Sequence, residues 1–391
     1  MRVLILVENL PVPLDRRVWQ EACALRDEGH QVTVVCPRMR GYDTAFEVLE
    51  GIEIYRHWIS GEARSKVGFF WEYLTAVWGQ WWCALLAWRR RGFDVIHLCN
   101  PPDILFLVAL PFKWLGGVKV VFDVHDLWPE MFAVKFGRRG PIHALVRLAE
   151  RCTLGIADQV IATNESVRNK ILERSNTLPE SVTIVRTAPK DMDTSAVVDE
   201  SLKNGRAFLV GYIGVMGDAD GVDYLIRAAH QVVMRMGRKD VQFLLMGTGP
   251  EFDKLRRLRD ELGLVNYVTM PGRVTNESLF SALKTMDLGV ACDPINEYND
   301  HCTMNKTLEY MAFGKPQVMF GTREGRFSAG DAATYVMENS AEALAQAIIE
   351  VLADPGGRQR MGTEGRRRLV EELGWEKSAK NLREVYGRLC A

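Results

Sequence analysis

Residues 2–36 open with Arg2-Val3-Leu4-Ile5-Leu6-Val7 and close with Gln31-Val32-Thr33-Val34-Val35-Cys36. Between these apolar runs, residues 17–28 carry Val18, Ala22 and Leu25 at helical spacing, and Gly29-His30 ends the helix. Pro37 stops the second run. Two short apolar strands joined by one helix form a β-α-β unit, and such units build parallel sheets. Further strands are expected at 52–56, 94–98, 119–124, 159–162 and 182–185. The pattern then restarts. Strands are expected at 208–213, 241–246, 267–270, 288–291 and 317–320, with helices at 222–236, 251–262 and 305–313. The expected fold class is therefore α/β, with two Rossmann-like doubly wound domains facing a central cleft. The first covers 1–190 and the second 205–372. The polar stretch 190–206 reads as the linker, and a last helix at 375–391 is expected to pack back on the first domain. Ligands of such sheets sit at the carboxyl ends of the strands.

The 391 residues are 47% hydrophobic and 25% charged, with 49 Lys plus Arg against 50 Asp plus Glu. This is too apolar for a disordered chain and too varied for a fibrous one. A formal net charge of -1 argues against a general nucleic-acid binder. Cysteines stand at 23, 36, 83, 99, 152, 292, 302 and 390, with no C-x-x-C pair and no zinc-like spacing. Reduced thiols and no metal centre are expected. Glu8 ends the first apolar run too early for a signal-peptide core of about 7–15 residues. The aromatic stretch 73–88 contains Thr75, Gly79 and Gln80 and falls short of the roughly 20 residues of a spanning helix. A cytoplasmic protein, soluble or peripheral on the inner membrane face, is expected.

The motifs follow strand ends. Gly247-Thr248-Gly249-Pro250-Glu251 permits a tight turn before a helix, and Gly211-Tyr212-Ile213-Gly214-Val215-Met216-Gly217 offers backbone amides to a phosphate. Neither matches G-x-G-x-x-G or a Walker A motif. The most informative stretch runs from Asn299-Asp300-His301-Cys302-Thr303-Met304-Asn305-Lys306 into Thr307-Leu308-Glu309-Tyr310-Met311-Ala312-Phe313-Gly314-Lys315-Pro316. A helix starts here, with Thr303 or Asn305 as N-cap, Lys306 in its first turn and Glu309 one turn inside. A helix N-terminus beside a lysine suits an anion, and a carboxylate one turn further can accept two ribose hydroxyls.

These residues resemble the family 4 glycosyltransferases of the GT-B fold, over nearly the whole chain. N-K-x-x-E-Y-M-A-x-G-K-P at 305–316 is the most specific part. Gly272-Arg273-Val274, Asp287 before a strand, the Asp94-Val95-Ile96-His97 strand and the 123–130 loop (Asp-Val-His-Asp-Leu-Trp-Pro-Glu) fit as well. The resemblance implies sugar transfer from a nucleotide donor with retention, donor binding by the C-terminal domain, and no metal. It implies that Glu309 binds the donor ribose. Lys306 and the amides of Thr303, Met304 and Asn305 would lie near diphosphate and sugar, and Arg273 beside the base. Gly214, Met216, Gly217, Gly247 and Gly249 complete the donor side. His125 would approach the donor sugar, and His301 stands where the family carries the first glutamate of E-x7-E; these two are the catalytic candidates. The family's cations near the diphosphate are missing from Val215-Met216-Gly217-Asp218-Ala219-Asp220-Gly221.

On the acceptor side, Asp15 suits a helix cap, and Arg16 and Arg17 suit an anionic acceptor or the donor diphosphate. Asn100, in Asn100-Pro101-Pro102-Asp103, is expected to line the acceptor site or to make a rigid turn. Residues 68–91 combine Phe69, Phe70, Trp71, Tyr73, Trp78, Trp81, Trp82 and Trp88 with Arg89-Arg90-Arg91, preceded by Arg64 and Lys66. This composition suits either a buried helix or an interfacial membrane helix. The expected activity is transfer from a UDP-sugar to a glycan or lipid-linked acceptor in polysaccharide assembly. A nucleotide-sugar 2-epimerase, a natural-product glycosyltransferase and a non-catalytic nucleotide-sugar-binding protein are the alternatives.

Overall fold

The computed structural model describes residues 1–59, 66–136, 140–190 and 192–390, without the side chains of 66–73, 135, 136 and 390. Arg64, and the side chains of Lys66, Phe69, Phe70, Trp71 and Tyr73, thus lie outside the described residues. The chain divides into two compact units, Met1–Thr187 with Glu376–Ala391, and Ala188–Trp375.

The first unit has strands β1 (Arg2–Val7), β2 (Gln31–Pro37), β3 (Phe46–Leu49), β4 (Ile52–His57), β5 (Val95–Cys99), β6 (Lys119–Val124), β7 (Gln159–Ala162) and β8 (Val182–Ile184). Its helices are α1 (Arg16–Asp27), α2 (Lys66–Arg90), α3 (Phe106–Gly116), α4 (Trp128–Phe136), α5 (Pro141–Ile156) and α6 (Glu165–Arg174). The sheet order is β3-β4-β2-β1-β5-β6-β7-β8. All pairs are parallel except β3 with β4. Val3 of β1 faces Val32 of β2 on one side and Val95 of β5 on the other, so the winding reverses at β1. The antiparallel strand β3 was not legible from periodicity. Its hairpin turn places Glu50 at φ 49° and Gly51 at φ 84°. Both central residues then have φ > 0, as a two-residue turn of this hand needs, but Glu-Gly lacks the usual Asn-Gly signature.

The second unit is wholly parallel. Strands β9 (Phe208–Ile213), β10 (Val241–Met246), β11 (Val268–Gly272), β12 (Leu288–Ala291), β13 (Gln317–Phe320) and β14 (Ala333–Val336) lie in the order β11-β10-β9-β12-β13-β14. Helices α7 (Val222–His230), α8 (Phe252–Glu261), α9 (Asn276–Thr285), α10 (Asn305–Ala312), α11 (Arg323–Ala329), α12 (Ala341–Ala353) and α13 (Pro355–Arg368) cover it. Here the order reverses at β9. The stretch 190–206 is not a free linker. Met192 and Leu202 pack with Leu209, Leu283 and Phe313. The Asp199 amide donates to Thr285 Oγ1 at 2.8 Å, and Ser281 Oγ donates to the Val197 carbonyl at 2.8 Å. Its polar composition hid a strap whose few apolar residues are widely spaced.

Helix α14 (Trp375–Cys390) returns to the first unit. Leu382, Val385 and Tyr386 are buried with Val3, Ile5, Val18 and Ile161. Leu382→Ala, at a fully buried position, is expected to lower the unfolding free energy by about 2–5 kcal/mol. Exposed Glu384→Ala should stay within about 0.5 kcal/mol. Urea denaturation followed by tryptophan fluorescence checks both.

Candidate active site

In the second unit, the reversal at β9 leaves a crevice beyond the carboxyl ends of β9 and β12. The turns after β9 and β10 are stacked on each other. Gly247, at φ +139°, lies so close to Gly214 that a Cβ would fall 1.8 Å from the Gly214 carbonyl oxygen. A Cβ at Gly249 would fall 2.5 Å from the Met216 carbonyl oxygen. These glycines therefore serve backbone packing. The amides expected to face a phosphate are committed inside the fold. Gly214 N–H donates to Met246 O at 3.1 Å, Met216 N–H to Thr248 O at 3.2 Å, and Gly217 N–H to Asp220 Oδ2 at 2.9 Å. That corrects the expectation for all three.

Helix α10 crosses this crevice and is pinned by Tyr310, a residue sequence reasoning did not single out. The Ile213 amide donates to Tyr310 Oη at 3.2 Å, and Tyr310 Oη donates to the Val290 carbonyl at 3.1 Å. The ring occupies the space over Gly289, where a Cβ would meet it at 2.6 Å. The signal was present as the tyrosine beside Glu309, one residue round the helix toward the apolar side.

The cap of α10 differs from expectation. Met304, not Thr303 or Asn305, is the N-cap, and no side chain caps the helix. Thr303 Oγ1 instead donates to Glu324 Oε1 at 3.3 Å, and Asn305 is exposed in the first turn. Such an end presents partial positive charge. Lys306 is buried. Its Nζ donates to Asp293 Oδ1 at 2.7 Å and lies 3.8 Å from Asp220 Oδ1. The ammonium also sits 5.0 Å from the Tyr212 ring centre. Burial disfavours its charge, but Asp293 and Asp220 outweigh that and raise the pKa above the usual lysine range. Burial pushes the Asp220 carboxyl up. Asp293 and Asp220 were missed; an acid directly after an apolar strand was the available signal for Asp293. Glu309 is half-buried on α10, and His301 is buried in the turn before it. Asn299 joins that turn to the 218–220 turn through Ala219 O at 3.0 Å and Pro294 O at 2.9 Å. Arg273 is exposed after β11, two strands from β9.

In the first unit, Asp15 caps α1, its Oδ1 accepting from the Val18 amide at 3.1 Å. Arg16 is exposed. Arg17 is not a surface cation. It is buried in a fork with Asp123, Nε to Oδ2 at 2.9 Å and Nη2 to Oδ1 at 2.6 Å. Its Nη1 donates to Val185 O at 2.8 Å and Thr187 Oγ1 at 3.0 Å, and Nη2 lies 3.1 Å from Glu21 Oε1. An anionic acceptor would have to displace these partners, so the acceptor-side expectation for Arg17 is corrected. His125 Nε2 lies 2.6 Å from Asp123 Oδ2. Burial opposes the imidazolium, but Asp123 outweighs it and the His125 pKa is raised. Burial likewise opposes the Asp123 charge, yet Arg17 and His125 hold its carboxyl well below the usual range.

Asn100 is a brace. Its Oδ1 accepts from the His125 amide at 2.7 Å, and its Nδ2 donates to Asp103 Oδ1 and Asp126 O, each at 2.8 Å. The side chain is buried, so its orienting role is confined to the loop that carries His125. Among the described residues, His97, Cys99 and Asp123 bring ligand-type atoms within 4.8 Å of one another. His97 Nδ1 already pairs with Tyr386 Oη at 2.9 Å, and the Arg17 guanidinium supplies the positive charge that this cluster surrounds.

Residues 14–187 match the family described as "Glycosyl transferase 4-like domain", and residues 207–354 match "Glycosyl transferases group 1". The chain belongs to the family 4 glycosyltransferases. This glycosyltransferase is 24% identical over 298 residues to the alpha-maltose-1-phosphate synthase of Mycolicibacterium smegmatis, covering 71% of this chain and 75% of that one. Its fold is GT-B. The sucrose-phosphate synthase of Thermosynechococcus elongatus superposes with a TM-score of 0.81 at 19% identity, over 100% of this chain and 99% of that chain. A protein of Anabaena in complex with UDP-glucose gives 0.73 at 15% identity, over 99% and 100%.

One pH dependence follows from the brace. Burial pushes the Asp103 carboxyl up to about 7. A carboxyl raised in the fold favours folding most below its unfolded pKa of about 3.9, and that contribution is lost as pH rises toward 7. Asp103→Asn keeps an acceptor for Asn100 and removes the charge. The variant's unfolding free energy, from urea titrations, should fall less than the wild type's between about pH 4 and pH 7.

Proposed function

We propose that this glycosyltransferase uses a UDP-sugar, transfers the sugar with retention, and delivers it to a hydroxyl of a lipid-linked glycan at a membrane surface. The observation that carries the donor assignment is the uncapped N-terminus of α10 at the reversal of a parallel sheet, with Glu309 one turn inside. Uncapped amides and the helix dipole attract a diphosphate. Glu309 accepts the ribose hydroxyls. The Anabaena protein binds UDP-glucose on the same fold, which supports uridine as the base.

As the bond from sugar to diphosphate breaks, negative charge grows on the leaving group, and positive dipoles held in place lower the barrier. The acceptor hydroxyl attacks from the leaving-group face and passes its proton to a donor phosphate oxygen. No protein nucleophile takes part. His125, whose imidazolium Asp123 favours, hydrogen-bonds the donor sugar, and His301 borders it. The aromatic segment 68–91 contacts the membrane that holds the acceptor. Supporting this, Trp78 and Trp82 of α2 are exposed rather than buried. No described helix is long and apolar enough to cross a membrane.

Thermal shift tests the donor site. UDP should raise Tm by a few degrees at saturation, more than GDP, ADP or dTDP, and Glu309→Ala should abolish the shift. Equal stabilisation of wild type and variant overturns the assignment. Asp220→Asn keeps the acceptor for the Gly217 amide and removes a negative charge beside Lys306. It should tighten UDP binding about three- to tenfold at pH 8 and flatten its pH dependence, as read by calorimetry. Transfer is expected to persist in EDTA.

A further inference from the structure

Helices α2, α3 and α5 form one layer on the first sheet, α3 packing against both neighbours. Their inward residues include Cys83, Ala84 and Ala87 of α2, Val108, Ala109 and Phe112 of α3, and Leu154 of α5, packed with Leu98, Val120 and Phe122 of the strands. The inward face of α2 carries the buried Cys83, Ala84 and Ala87, with Val77, Trp81 and Trp88 packed partly buried beside them. A second row of large apolar side chains, Leu74, Trp78, Trp82 and Leu86, recurs every fourth residue and is exposed, Trp78 by 67%. The helix is thus apolar on its outward face as well, where a surface helix is usually polar.

The outward apolar row continues across the layer. On α3, Trp114 is 75% exposed and Leu115 90%, and Leu107 in the helix's first turn is exposed as well. On α5, Ile142, Leu145 and Leu148 are exposed at helical spacing, Leu145 by 63%. An apolar surface of this extent marks an interaction site. The charge on it is one-sided. Among the described residues of these three helices, the exposed charged side chains are Arg89, Arg90, Arg147 and Arg151, and Lys113 is half-exposed. The described acid, Glu150, is buried. A second copy of this face would meet its own positive charge, whereas an anionic lipid surface would complement it. Exposed tryptophans with arginines at their rim are the composition that lies at a membrane interface. A groove of about 950 Å³ beside α2, walled by Trp58, Trp78, Trp82 and Leu86, adds room for an acyl chain.

We propose that the protein docks on anionic lipid bilayers through the continuous outer face of α2, α3 and α5, not through the 68–91 segment alone. This rests on the membrane reading given above and extends it to two further helices. The test is co-sedimentation with vesicles of phosphatidylcholine plus phosphatidylglycerol, against phosphatidylcholine alone. Wild type should bind the anionic vesicles and lose most binding in high salt. Leu145→Glu/Leu148→Glu and, separately, Arg147→Glu/Arg151→Glu should each weaken binding about tenfold with Tm unchanged, as should Trp78→Ala/Trp82→Ala. If the α2 variant loses binding while both α5 variants bind like wild type, the three-helix face is overturned and the membrane reading stands. If wild type ignores anionic vesicles, both are overturned. The same holds if wild type is instead a dimer that Leu145→Glu/Leu148→Glu dissociates.

Discussion

The fork between Arg17 and Asp123 sets the first unit. It joins the start of α1 to the end of β6, and its remaining donors hold the chain just past β8. Asp123 in turn fixes His125. Two ions taken out of water are expensive, and their attraction offsets that cost only with good geometry and further hydrogen bonds. Here the guanidinium has both. The carboxylate has the fork on one side and the imidazole on the other. The pair is therefore best understood as a positioning device for His125, since an apolar pair of equal volume would hold the sheet at least as well.

The second unit solves a similar problem with a lysine. Lys306 enters at the first turn of α10, where an anion would bind, yet its ammonium already faces Asp293 and Asp220. Tyr310 and Gly289 fix the helix against β9 and β12, so the lysine cannot be carried away by a shift of the helix. An arriving diphosphate would meet a neutralised cation and a carboxylate whose charge burial already disfavours. Asp220 is then the group most ready to take up a proton.

The strand pattern was legible because parallel strands buried on both faces are short apolar runs, and helices between them keep a 3.6-residue period. Thus β1, β2 and the whole β9-to-β13 series stand where the runs stand. The site was legible only as positions. Arg17 and Asp123 are 106 residues apart, and nothing local marks them as partners. Read locally, Arg17 is a solvated arginine after a cap. The amides of Gly214, Met216 and Gly217 looked available because their acceptors, Met246, Thr248 and Asp220, come from other turns or from a side chain. Met304 escaped notice as an N-cap because its side chain makes no capping bond. Its place in the helix came from packing of Leu308, Tyr310 and Met311, not from cap chemistry.

The distribution of cations ties these features together. In the second unit, loop 215–221 brings two acids, Asp218 and Asp220, and no cation to the turn beside α10. In the first unit Arg17, one of the two arginines that could have served an anion, is buried on Asp123. Exposed arginines stand instead on the outer layer, at 89, 90, 147 and 151. On the proposed function, phosphate recognition near the donor would rest on short-range dipoles, which act within about one helical turn. On the proposed docking, the long-range field would act on a surface: exposed cations with apolar neighbours would draw the protein toward a charged plane over roughly a Debye length of 8–10 Å. A donor in solution needs selective binding, while an acceptor fixed in a bilayer needs the enzyme brought to it. The placement of charge in this chain divides along that line.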